Sequence, residues 1–209
     1  MAAEKDLKTI LGKLKYSDDA KVVQQISEQT KHVHARMAGI KYKLAVMSGK
    51  GGVGKSMTTV NLALAFARQG AKVGLLDVDL NGPCVPRMLG LHGQTLKMTP
   101  EGAIPPVGPL GVKVASMDFF LDDASPVRWK GPMDVSPVWL GLMEMNVIRE
   151  FLSDVMWGEL DYLIVDLPPG TGDIQISLCT QVPVTAAIVV CTPQDVAISD
   201  ARKGISLFQ

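Results

Sequence analysis

Ser48-Gly49-Lys50-Gly51-Gly52-Val53-Gly54-Lys55-Ser56 is the stretch around which the 209 residues are organised. A glycine, four residues and then Gly-Lys-Ser is the spacing of a phosphate-binding loop. Leu44-Ala45-Val46-Met47, just before it, reads as a short buried strand. Met57 to Gln69, just behind it, reads as a helix, because Val60, Ala63, Leu64 and Ala67 fall at i, i+3, i+4 and i+7. Gly70 is its stop signal. Strand, glycine-rich loop and helix start are the context such a loop needs. Glycines let the backbone turn tightly and bring its N–H groups up to phosphate oxygens. The helix N-terminus adds partial positive charge. Lys55 can neutralise phosphate charge, and the Ser56 hydroxyl can ligate Mg²⁺. The expected nucleotide-binding segment is therefore Gly49, Lys50, Gly51, Gly52, Val53, Gly54, Lys55, Ser56 and Met57.

Composition narrows the class. The length suits one domain with a full core. Lys plus Arg equals Asp plus Glu at 21 each, which gives no chain-wide basic footprint for nucleic acid or membrane. No apolar run approaches the ~20 residues of a membrane span, and the charged start Ala3-Glu4-Lys5-Asp6 is unlike a signal peptide. Three widely spaced cysteines, Cys84, Cys179 and Cys191, point to a reducing compartment without structural disulfides. Cys84 reads as a plain loop residue, and Cys179 and Cys191 as buried thiols in apolar surroundings.

Residues 1–40 read as a helical extension, with apolar stripes Leu7, Ile10, Leu11, Leu14 and Val22, Val23, Ile26, and residues 41–209 as the main domain. His32 and His34, two apart, do not share a helix face and make a poor metal pair. Lys72 to Leu76 reads as a buried strand closing on Asp77-Val78-Asp79, where ligands bind in open α/β sheets. If the strand continues, Asp77 and Asp79 share a face. One would then approach Mg²⁺ or its waters and the other would orient the attacking water; the plainer alternative is a strand-end turn or a helix cap. The Gly- and Pro-rich stretch 92–111 suggests a surface excursion with a hairpin. Val112 to Ser116 reads as a strand. Ser136-Pro137 opens a helix expected to run to about Met156. Tyr162-Leu163-Ile164-Val165-Asp166 is an apolar strand closing on an aspartate, the requirement for a carboxylate that approaches Mg²⁺ opposite Ser56. Leu167 to Asp173 is a rigid turn suited to sensing a γ-phosphate. Ala186 to Cys191 reads as a further strand, and Thr192-Pro193 as the cap of a last helix over Gln194–Phe208. A strand normally follows such a helix, so the chain reads as cut short.

Lys50 goes beyond the general loop pattern. Gly-Lys-Gly-Gly-x-Gly-Lys-Ser resembles the deviant Walker A loop of the MinD, ParA and nitrogenase iron-protein class, in which the extra lysine reaches across a dimer to the partner's nucleotide. Together with Asp77-Val78-Asp79-Leu80-Asn81-Gly82-Pro83, Leu167-Pro168-Pro169-Gly170-Thr171-Gly172-Asp173 and Thr192-Pro193-Gln194-Asp195, it resembles the Mrp/ApbC family, from about Tyr42 to Gln209. The resemblance implies a doubly wound, mainly parallel α/β P-loop fold. It implies a cytoplasmic homodimeric ATPase that carries iron–sulfur clusters to apoproteins and works with cluster-assembly proteins, without membrane or nucleic acid. ATP and Mg²⁺ are the implied ligands. Lys50, Lys55, Asp79 and Asp166 are the implied catalytic residues, and Ser56, Asp77 and Asp166 the residues around the metal. In the family a [4Fe–4S] cluster is shared through a C-terminal Cys-x-x-Cys on each subunit. These 209 residues hold no Cys-x-x-Cys, and Cys84 stands where the family usually has serine. The alternative is a MinD- or ParA-like positioning ATPase, which an amphipathic C-terminal helix or a basic dimer face would mark.

Overall fold

The computed structural model describes residues 30–79, 82–120, 148–170, 175 and 182–206. Among them, five parallel strands form one sheet. They are β1 (Ile40–Met47), β2 (Val73–Asp77), β5 (Lys113–Ser116), β6 (Leu160–Asp166) and β7 (Ala186–Val189), in the spatial order β5-β2-β6-β1-β7. A separate antiparallel hairpin pairs β3 (Lys97–Thr99) with β4 (Gly102–Ile104), inside the stretch expected to hold one. The described helices are α1 (residues 30–38), α2 (Lys55–Arg68), the single turn α3 (Val85–Met88), α4 (residues 148–154) and α5 (Asp195–Ile205). This is the doubly wound, mainly parallel α/β architecture that the motif order implies. None of the described helices is long and apolar enough to cross a membrane.

The central strands are buried on both faces, so they read as continuous apolar runs rather than alternating ones. All five residues of β2 are buried, as are Ala45, Val46 and Met47 of β1 and Leu163, Ile164 and Val165 of β6. Gly74 is required in β2. A Cβ there would come within 2.6 Å of Leu160 Cδ1 and 2.9 Å of the Trp157 ring. α2 crosses the sheet and is pinned at its far end by a stack of rings. Phe66 lies 4.3 Å from Tyr162, which lies 5.2 Å from Tyr42. Val33 and Met37 of α1 join the same core, while His32 and His34 are exposed.

Several expectations are corrected. α4 ends at residue 154, because Val155 leaves the helix to bridge Ala103 and the Met156 N–H bonds to the Ala103 carbonyl. β7 stops at Val189 and, among the described residues, is an outer strand paired with β1, so its apolar run is only partly covered and Cys191 is exposed rather than buried. The N-cap of α5 is Gln194, not Thr192-Pro193, and no side chain caps it. The apolar stripes before residue 30, the start of the helix at Ser136-Pro137, Cys179 and Asp173 lie outside the described residues.

Candidate functional site

The glycine-rich loop and the described residues that follow β2 and β6 lie at the C-terminal edge of the sheet, where open α/β sheets bind ligands. The loop Ser48–Gly54 links β1 to α2. Gly52 and Gly54 take positive φ, at 76° and 92°, conformations that favour glycine. Gly54 is the N-cap of α2, so the loop runs straight onto the helix N-terminus. Gly49 is packed against α5; a Cβ on it would lie 2.6 Å from Asp200 Cβ. The helix end presents no acidic residue in its first turn, leaving its N–H groups free of a competing carboxylate on that turn.

α2 turns Lys55, Thr59, Val60 and Ala63 into the protein. The first two point at Asp166. Lys55 Nζ lies 2.9 Å from Asp166 Oδ2, with the lysine side chain 7% exposed and the aspartate fully buried. The contact is an ion pair by distance, but its angles leave Oδ2 without a hydrogen bond. Thr59 Oγ1 donates to Asp166 Oδ1 at 2.7 Å, with the Lys55 carbonyl as a second acceptor for the same proton at 3.0 Å. Lys55 also donates to Ser56 Oγ at 3.2 Å. Thr59 was not among the residues expected at the site. Its signal was present, one helical turn after Lys55 on the buried stripe.

Asp77 is fully buried and in register with Asp166 on one side and Ser116 on the other. Its Oδ1 accepts from the Asp79 N–H at 3.1 Å, and its Oδ2 accepts from the Val85 N–H at 3.3 Å and Ser116 Oγ at 3.2 Å. β2 ends at Asp77, so strand alternation does not place Asp79 beside it. Asp79 is instead held by this side-chain turn and is part-exposed. Burial is the largest cause pushing the Asp77 carboxyl up, from its usual 3.8 to about 7. Asp166 adds to the rise, and the two backbone N–H groups and Lys55 oppose it. Two adjacent buried carboxylates served by one lysine, one of them with an oxygen lacking a hydrogen bond, fit a divalent cation bound alongside phosphates. Among the described residues no group of three or more His, Cys, Asp or Glu side chains forms a metal cage by itself.

Asp166 leads into Leu167-Pro168-Pro169-Gly170. This turn is fastened by Leu167 N–H to the Val46 carbonyl at 3.0 Å and Gly170 N–H to the Ser48 carbonyl at 2.8 Å. The buried Gln175 side chain donates to the carbonyls of Pro168 and Gly170 at 3.0 and 3.1 Å. The Leu167–Gly170 turn is thus tied directly to the glycine-rich loop. Lys50 is exposed and makes no hydrogen bond or ion pair among the described residues, and Met57 is 56% exposed. Val53 is part-buried, and Gly51 faces open space. Cys84 is the part-buried N-cap of α3.

The sequence model described as the NUBPL iron-transfer P-loop NTPase (ParA) matches residues 39–209. The chain is 47% identical over 191 residues to the iron–sulfur cluster carrier protein of Saccharolobus solfataricus, covering 90% of this chain and 61% of that protein. It is 48% identical over 172 residues to the iron–sulfur cluster carrier protein of Escherichia coli K12, covering 82% and 44% respectively. The chain thus spans between 44% and 61% of the length of these two curated relatives. It is similar in structure to a nucleotide-binding protein of Archaeoglobus fulgidus in complex with ADP, in which cobalt was found, with 38% identity and a TM-score of 0.71 over 85% of this chain and 65% of that one. A chain of the MinC:MinD cell division protein complex of Aquifex aeolicus matches at 25% identity and a TM-score of 0.52, over 80% of this chain and 63% of that one.

The raised Asp77 carboxyl has a consequence for stability. Its folded pKa lies above its unfolded one, so the unfolded chain gives up this proton first as pH rises. Asp77 should therefore lower stability progressively between about pH 4 and about pH 7, and by a constant amount above that. Denaturant unfolding of wild type and Asp77→Asn across this range isolates the effect. The stability difference should move in favour of Asp77→Asn as pH rises; a difference that does not change with pH would contradict the buried, unfavourable carboxylate.

Proposed function

The chain belongs to the NUBPL iron-transfer P-loop NTPase family, and on that premise we propose that it binds ATP with Mg²⁺, hydrolyses it slowly, and works as the nucleotide-driven part of a carrier that delivers iron–sulfur clusters to apoproteins. The observation that carries the nucleotide half is the buried Lys55–Asp166 pair at the mouth of the glycine-rich loop. The loop N–H groups and the α2 N-terminus attract the β- and γ-phosphates. A phosphate that engages Lys55 draws its ammonium off Asp166 and leaves that carboxylate to a cation. Ser56, Asp166 and Asp77 would hold Mg²⁺. When bound, the ion neutralises charge on the phosphates and orients them. Asp79, beyond the end of β2, orients the attacking water. The water oxygen bonds to the γ-phosphorus and the bond to the β–γ bridging oxygen breaks, giving ADP and inorganic phosphate, with the proton lost by the water released to solvent. The Pro168–Gly170 turn, tied to Ser48, registers the loss of the γ-phosphate.

The active unit is a homodimer in this reading. Lys50 is exposed and unengaged among the described residues, which leaves it available to a nucleotide across a two-fold axis. The cluster is cargo. The chain offers three cysteines and no Cys-x-x-Cys, and no cluster ligand is assigned to any of them.

Calorimetry with ATP and Mg²⁺ tests the nucleotide half. Lys55→Ala should weaken binding by roughly 2–5 kcal/mol, which is about thirtyfold to several thousandfold. Far-ultraviolet circular dichroism runs in parallel, because the substitution also strips Asp166 of its counter-charge. A folded Lys55→Ala protein with wild-type affinity would rule the site out.

The dimer half has its own test. Lys50→Ala should bind ATP nearly normally and hydrolyse it roughly 10³–10⁵ times more slowly, as when a charge finger is removed. Mixed with Asp79→Asn subunits, it should regain activity at the one site that combines an intact Asp79 with the partner's Lys50. Heterodimers that form yet never exceed the single variants would contradict action in trans.

A further inference from the structure

Ser116 is absent from every motif in the sequence, yet it is fully buried beside the site. It ends β5, directly in register with Asp77, which is itself in register with Asp166. Ser116, Asp77 and Asp166 therefore form one row across three adjacent strands. The Ser116 hydroxyl has two partners. It accepts from the Asp118 N–H at 3.2 Å, a local turn contact, and donates to Asp77 Oδ2 at 3.2 Å, 39 residues away in sequence. The Asp118 side chain, 7% exposed, meets His92 Nδ1 at 2.9 Å, so the far end of the row is also fixed.

Asp77 uses what remains of its carboxylate on the loop that follows β2. One oxygen takes the Asp79 N–H, and the oxygen shared with Ser116 takes the Val85 N–H. That carboxylate is buried against a second one. Its orientation therefore depends on the neutral donors around it, and among the described residues Ser116 is the one that comes from outside the stretch between Asp77 and Val85. Without it, the carboxylate could follow the loop rather than restrain it.

We propose that Ser116 is a positioning residue for Asp79: through Asp77 it fixes the turn that presents Asp79 to the nucleotide, and the His92–Asp118 pair braces it from the outer side. The consequence for turnover rests on the ATPase reading above. The restraint of the loop does not.

Ser116→Ala and Ser116→Cys in the whole chain test both halves. Site-resolved amide hydrogen exchange reads the restraint without any nucleotide. Exchange at Asp79 and Val85 should quicken on the order of fivefold or more in Ser116→Ala, the size of effect one lost buried hydrogen bond gives. Leu75 and Ile164, in the core strands, should not change. Ser116→Cys, whose thiol donates more weakly, should fall between the two. For ATP hydrolysis, Ser116→Ala should lower kcat about tenfold and leave KM within about twofold. Adding it to Asp79→Asn should slow that variant no further, since both act through one group. Unchanged exchange at Asp79 and Val85 would overturn the proposal, as would fully additive losses in the double variant. A wild type without ATPase activity would instead count against the proposed function, and the exchange data would still decide the role of Ser116.

Discussion

Two aspartates side by side, at the buried ends of adjacent parallel strands, are the constraint on which the rest of the site depends. Asp77 and Asp166 are in register and fully buried. Burial first, and then the charge of Asp166 alongside, push the Asp77 carboxyl up. The fold answers with one ammonium, from Lys55, and a set of neutral donors: Thr59, Ser116, and the N–H groups of Asp79 and Val85. A hydrophobic row would be simpler for stability, because a buried pair of this kind repays its desolvation poorly. Its retention beside a phosphate loop is consistent with a site that handles anions and a cation in exchange.

The geometry couples elements that carry different parts of the proposed chemistry. One face of α2 supplies Lys55 and Thr59, and its N-terminus ends the phosphate loop. The loop after β6 is sewn to the phosphate loop through the Gly170 N–H and the Ser48 carbonyl. The loop after β2 hangs on the Asp77 carboxylate. In the proposed function, a change at the γ-phosphate position would reach these loops through short contacts such as Gly170 N–H to the Ser48 carbonyl and Asp79 N–H to Asp77. In the proposed carrier, these loops are where nucleotide state would be communicated to a second subunit and to the cargo.

Much of this was legible in the sequence because it rests on local chemistry. Glycine spacing, the apolar run before Asp166 and the carboxylates after β2 encode the loop and strand ends directly. What escaped was set by tertiary register. Ser116 is an ordinary strand-end serine until the sheet order β5-β2-β6 puts it next to Asp77. Strand alternation failed for Asp79, because β2 ends at Asp77 and a side-chain turn takes over. Cys191 looked buried from its apolar neighbours; whether such a run is covered depends on what lies on each side of β7, which the run itself does not encode. Thr59 was recoverable, since one helical turn separates it from Lys55.

In the proposed function, the Lys55–Asp166 pair gives way to phosphate at Lys55 and a cation at Asp166 when nucleotide binds. Calorimetric titration of ADP with Mg²⁺ and then with EDTA, on wild type and on Asp166→Asn, tests it most directly. Wild type should bind ADP more tightly with Mg²⁺, and Asp166→Asn should lose most of that increment while still binding ADP through Lys55 and the loop. An increment of the same size in both proteins, or none in wild type, would contradict the account.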